Sequence, residues 1–128
     1  MKSVYGGKLN IEEGDIKMEN KIKKLEVLWD EVLKMREENG KCRNSPQKQE
    51  AIRLMHQWAS KSEEGMKYFQ RKRVEIRLRL VEMDYREGKY ISARLQLKKA
   101  FHLYQYILGG DLDLLAKLRK LNNVLVGA

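Results

Sequence analysis

The 128-residue sequence predicts an all-α fold of about five helices stacked as antiparallel pairs, a tetratricopeptide-like solenoid fragment. Three observations carry this. Apolar residues make up 42% and charged residues 35% of the chain, with a single proline, a composition that suits helices better than sheet or disorder. Apolar positions recur at helical spacing along most of the length. Glycine-bearing punctuation separates the periodic stretches.

Residues 1–17 carry three glycines, scattered charges and no sustained period, so a flexible N-terminal arm is expected, followed by one helical-repeat domain over 18–128. The first helix is predicted from about Met18 to Glu38. Ile22, Leu25, Leu28, Trp29, Val32 and Leu33 share one face of it, and Asn39-Gly40 ends it. Ser45 can cap the second helix and Pro46 suits its first position, where a missing N–H costs nothing. That helix is expected to bury Ala51, Ile52, Met55, Trp58 and Ala59 and to run to Glu64, with Gly65 as its terminator.

The third helix, about Met66 to Glu87, has two opposed apolar stripes. Phe69, Ile76, Leu80 and Met83 form one, and Val74, Leu78, Val81 and Tyr85 the other. A helix of that kind is packed on both sides. Gly88 marks a tight turn into a fourth helix, about Tyr90 to Leu108. Its main stripe is Ala93, Leu97, Ala100, Tyr104 and Ile107, and a weaker one opposite is Ile91, Leu95 and Tyr106. Asp111 caps a last helix to about Val126, with Leu114, Leu118, Leu121 and Leu125 on one face and Leu112, Leu115 and Ala116 on another.

Helices apolar on two sides and joined by short turns describe layers that each bury the next. The third and fourth helices fit one such pair: Leu80, Gly88, Tyr90, Ala93, Leu97 and Ala100 are the predicted hairpin packing residues. Small Ala93 and Ala100 let two helices approach while Tyr90 and Leu97 fill the groove. The last helix, apolar on two sides, offers Leu112, Leu115, Leu118, Leu121 and Leu125 as a candidate interaction face.

The formal charge is +9. It is concentrated between Met66 and His102, where eleven basic and four acidic residues leave +7. Arg71, Lys72, Arg73, Arg77 and Arg79 are therefore candidate polyanion contacts, and a small basic helical protein binding RNA or DNA is the alternative reading. On the helix these cations fill two seams between the apolar stripes instead of gathering on one side. Solubilising edges of a stacked helix explain that pattern more simply.

No catalytic constellation emerges. His56 and His102 have no second ligand at metal spacing, and Cys42, the only cysteine, can form no disulfide within the chain. The Glu12-Glu13, Glu37-Glu38 and Glu63-Glu64 pairs lie beside cations without an apolar pocket. No phosphate loop or nucleophile elbow is present. The expectation is a protein that is not an enzyme, with no cofactor and no metal. No apolar run has the length of a signal peptide core or a membrane span, so cytoplasmic or nuclear residence and no membrane partner are expected.

From about Lys21 onward the order of features resembles a known family. The segments are IKKLEVLWDEVL, then QEAIRLMHQWASKSEE, then a basic helix ending VEIRLRLVEMDYREGKYISA, its paired helix, and an Asp-Leu-rich helix. Together they are similar to the helical-repeat region of the PCI-containing non-ATPase subunits of the proteasome regulatory-particle lid, subunit six in yeast and eleven in humans. The sibling subunit of the COP9 signalosome shares the pattern. The resemblance implies a non-catalytic scaffold for protein–protein interaction whose partners are other protein subunits of a lid-like assembly, and it brings no catalytic residues. Members of that family continue into a winged-helix PCI module, so the last helix here is expected to present a face that a further repeat would cover.

Overall fold

A computed structural model describes the backbone of residues 2–39 and 45–127, and the side chains of 19–38 and 45–127. Among these residues all regular structure is α-helical. The elements are α1 (Lys2–Asn39), α2 (Pro46–Ala59), α3 (Glu63–Arg86), α4 (Tyr90–Tyr104) and α5 (Leu112–Val126). The chain divides into two compact units, Met1–Leu54 and Met55–Ala128, with the boundary inside α2. Gly40 and Cys42 lie outside the described residues.

In the first unit, α1 is helical from Lys2, where the helix is expected only from Met18, so residues 2–17 of the expected arm are helical. Gly6, Gly7 and Gly14 lower helix preference by about 1 kcal/mol each. None of them removes a backbone donor, as proline would. Leu25, Trp29, Val32 and Leu33 are buried as their spacing predicts, and Ile22 and Leu28 are half-buried. Ser45 caps α2, its Oγ accepting from the Lys48 N–H at 3.1 Å. On the exposed flank of α2 the Arg53 guanidinium hydrogen-bonds Glu50 at 2.7 Å. That bond holds the Glu50 carboxyl below its ordinary range, with a smaller contribution from the Lys24 charge on α1.

The second unit opens on a turn that differs from expectation. The N–H groups of Lys61 and Ser62 both donate to the Trp58 carbonyl, which ends α2 at Ala59. Ser62 then caps α3, its side chain accepting from the Gly65 N–H at 3.0 Å, and Glu63 and Glu64 complement the positive end of the helix. Gly65 is therefore not a terminator but a buried residue of the first turn of α3. A Cβ added there would stand 2.6 Å from the Trp58 carbonyl carbon and 2.7 Å from its ring. The glycine is what lets α3 close on the end of α2. Around it the Trp58 ring meets Tyr68 at 5.3 Å and His56 meets Phe69 at 4.9 Å between centroids.

Among the described residues the α3–α4 hairpin is the most extensive helix pairing. Its turn is a Schellman motif: Gly88, at φ 77°, donates to the Tyr85 carbonyl, and Lys89 donates to that of Asp84. Ser92 Oγ donates to the buried Asp84 carboxylate at 2.7 Å, Arg77 to Gln96 at 2.7 Å, and the Leu108 N–H to Gln70 at 3.1 Å. As the partner on α3 moves back along the chain, the partner beyond the turn moves forward. The two helices are antiparallel. The same reversal relates α4 to α5, through Tyr104 with Asp111 near the turn and Arg94 with Leu125 far from it.

Three helices share one core: Val74, Leu78 and Val81 of α3, Ala93, Leu97 and Ala100 of α4, and Leu114, Leu118 and Leu125 of α5, with Ile107 from the intervening turn. Helix α4 ends at Tyr104, short of Leu108. Gln105, Tyr106 and Ile107 continue with i to i+3 bonds, and Gly109 and Gly110 reverse the chain at positive φ. The Tyr104 hydroxyl clamps that reversal, accepting from the Asp111 N–H at 2.9 Å and donating to its carbonyl at 3.0 Å. The Asp111 side chain caps α5 as predicted. No helix among the described residues is long and apolar enough to cross a membrane.

Candidate functional site

The predicted hairpin set is placed mostly in the core. Ala93 and Ala100 are fully buried and Leu97 nearly so, while Leu80 is half-buried. Gly88 forms the turn. Tyr90 does not fill the groove: it is exposed and rests its ring on that of Tyr85, 5.5 Å away.

The face of α5 expected to meet another chain is largely consumed inside the molecule. Leu118 and Leu125 are buried in the shared core with Leu114, and Leu121 packs against it. Leu115 is half-buried, and Leu112 alone of the five is open, at 82% exposure. The residues are apolar because α5 is the third layer of this core. They do not form one docking surface.

The five candidate polyanion contacts are divided as well. Lys72 is buried and pairs with Glu75 at 3.6 Å. The Arg73 guanidinium lies over the Phe69 ring, 5.1 Å from its centroid, and Arg77 donates to Gln96. Arg71 and Arg79 are exposed. Cations held by a carboxylate, a ring and an amide on their own hairpin are poorly arranged to converge on phosphates.

Among the described residues, one open apolar surface runs along the outer side of α4 and into the turn that follows it. Ile91, Leu95 and Tyr106, expected as a weaker packed stripe, are 76%, 57% and 54% exposed. Leu108 beside them is also exposed. Lys98, Lys99 and His102 lie along the same side of the helix and are exposed. The sequence of α4, Tyr90–Tyr104, contains no aspartate or glutamate. Between α4 and α3 runs a groove of about 480 Å³ lined by Leu95, Leu103, Arg77, Lys98, Lys99 and His102. A second groove of about 360 Å³ lies between α4 and α5, with Leu97, Phe101 and Leu125 among its apolar walls and Arg94 and Lys98 on it.

Chemically this face offers apolar anchors framed by cations. It assembles no nucleophile with a base, and among the described residues no three His, Cys, Asp or Glu side chains gather where a metal ion could sit. His56 and His102 are each occupied by an aromatic neighbour, Phe69 and Tyr106. One signal of this face was visible in the sequence, the absence of any carboxylate from an otherwise amphipathic helix. Comparison with protein-family models, with curated proteins and with solved structures finds no match.

Proposed function

We propose that the chain is a non-catalytic protein–protein interaction scaffold, a tetratricopeptide-like stack of helix pairs of the kind that the helical-repeat part of a proteasome regulatory-particle lid subunit provides. The observation that carries this reading is the outer stripe of α4 and the turn after it: Ile91, Leu95 and Tyr106 stand exposed, while Ala93, Leu97 and Ala100 on the opposite side of the helix are buried. An ordered apolar stripe of that kind is the usual mark of a surface that another protein covers. The resemblance of the chain from Lys21 onward to lid subunits agrees with it.

A small basic helical protein binding RNA or DNA is the second reading, favoured by the exposed Arg71 and Arg79 within the segment of highest positive charge. Affinity capture with the full chain from nuclease-treated extract, followed by reconstitution with the purified partner, separates the two. A scaffold retains a protein partner at fixed stoichiometry after nuclease treatment and at near-physiological salt. Material that disappears with the nuclease would overturn the proposal.

A further inference from the structure

We propose that the outer face of α4 docks an acidic amphipathic helix, whose apolar side chains meet Ile91 and Leu95 and whose carboxylates meet Arg77, Lys98 and Lys99. The inference rests on the scaffold reading and names the class of partner.

Three observations select that occupant. The first is shape: Ile91, Leu95, Lys98 and His102 follow one another at spacings of four, three and four, a straight ridge of about 16 Å at 1.5 Å per residue. A partner helix of about three turns covers that length, and helices placed in grooves are read through anchors at such spacings. The groove beside the ridge, about 480 Å³ with Leu95 and Leu103 on its walls, receives one such anchor.

The second is charge. Arg77, Lys98 and Lys99 line that groove, and α4 supplies no carboxylate to balance them. Among the described residues none of the three has an ion pair; Arg77 is held only by the neutral Gln96 amide at 2.7 Å. Cations left uncompensated at the edge of an apolar groove favour a partner carrying the opposite sign there.

The third excludes a competitor. A second copy of the chain docking through this face by two-fold symmetry would set the face against itself. Each copy would bring Arg77, Lys98 and Lys99 and no α4 carboxylate to the shared surface, and like charges across an interface are costly. A nucleic acid would satisfy the cations and leave Ile91, at 76% exposure, and Leu95 without apolar contact.

The test is fluorescence anisotropy on the full chain with two synthetic helical peptides. Both carry leucine at i, i+4 and i+7; one is flanked by glutamate and the other by lysine. The acidic peptide is expected to bind and the basic one not. Leu95→Asp, and separately Lys98→Glu with Lys99→Glu, should weaken the acidic peptide about tenfold or more, with circular dichroism unchanged because these side chains are exposed. Lys117→Glu with Lys120→Glu on α5 makes the same change in net charge elsewhere and should leave affinity unaltered. No binding of the acidic peptide, equal weakening by the α5 pair, or single-stranded RNA competing for Leu95 and Lys98 would each overturn the proposal. If the peptide fails while the nuclease-resistant partner is still captured, this site is wrong and the scaffold reading stands. If both fail, the scaffold reading falls too.

Discussion

Leu118→Ala is expected to destabilise the Met55–Ala128 unit by about 2–5 kcal/mol, the usual cost of emptying a core leucine site. Leu118 has no exposed surface and sits where α5 meets the cluster that includes Val74, Leu97 and Ala100. Removing it forfeits both transfer free energy and packing, because α3 and α4 are already tied together at Asp84–Ser92 and Arg77–Gln96 and cannot collapse freely into the void. In a unit of this size each kcal/mol lowers Tm by about 4–8 °C, so thermal unfolding followed by circular dichroism reads the effect easily. Leu112→Ala, at an exposed leucine on the same helix, should shift stability by no more than about 0.5 kcal/mol. Equal shifts for the two variants would mean that α5 does not pack through Leu118.

Gly65→Ala is expected to cost about 1–3 kcal/mol or more through overpacking. The new methyl would meet the backbone carbonyl carbon of Trp58 at 2.6 Å, and backbone cannot rotate aside as a flexible side chain can. Either α3 moves away from the end of α2 or the Ser62 cap opens. Gly88→Ala separates steric from conformational cost. There nothing lies within 4 Å of the added carbon, and the penalty comes only from a φ of 77°, about 1–2 kcal/mol. The fluorescence of Trp58 distinguishes them: Gly65→Ala should change its environment in the folded state and Gly88→Ala should not. An unchanged melting temperature for Gly65→Ala would show that α2 and α3 do not approach as described.

Much of the fold was legible because it rests on local rules. The Ser45–Pro46 start, the Asp111 cap and the Gly88 reversal are each specified within four or five residues. The buried stripe of Ala93, Leu97 and Ala100 follows from helical period alone. What escaped depends on distant partners. Gly65 has the composition of a terminator, and only the approach of Trp58 reveals that its missing side chain is a packing requirement. The apolar side chains of Leu118 and Leu125 fit an interface or a core equally well; α4 decides that they are core. The stripe of Ile91, Leu95 and Tyr106 follows from helical period, yet its exposure depends on which neighbours are present, a quantity that periodicity does not contain. The seams of charge depend on nearer partners, since Lys72, Arg73 and Arg77 meet Glu75, Phe69 and Gln96 on the α3–α4 hairpin itself.

That placement of charge is the hinge between the two functional readings, and titrating the full chain against duplex and single-stranded nucleic acid at two salt concentrations tests it most directly. If Lys72 and Arg73 of α3 serve packing, and Arg77 with Lys98 and Lys99 serves a protein partner, binding is weak at low salt and lost near physiological salt, with Arg71→Ala and Arg79→Ala having little effect. Tight binding at physiological salt, with a steep dependence of log affinity on log salt that shallows by about one ion per removed arginine, would contradict the account and make the basic hairpin a polyanion site.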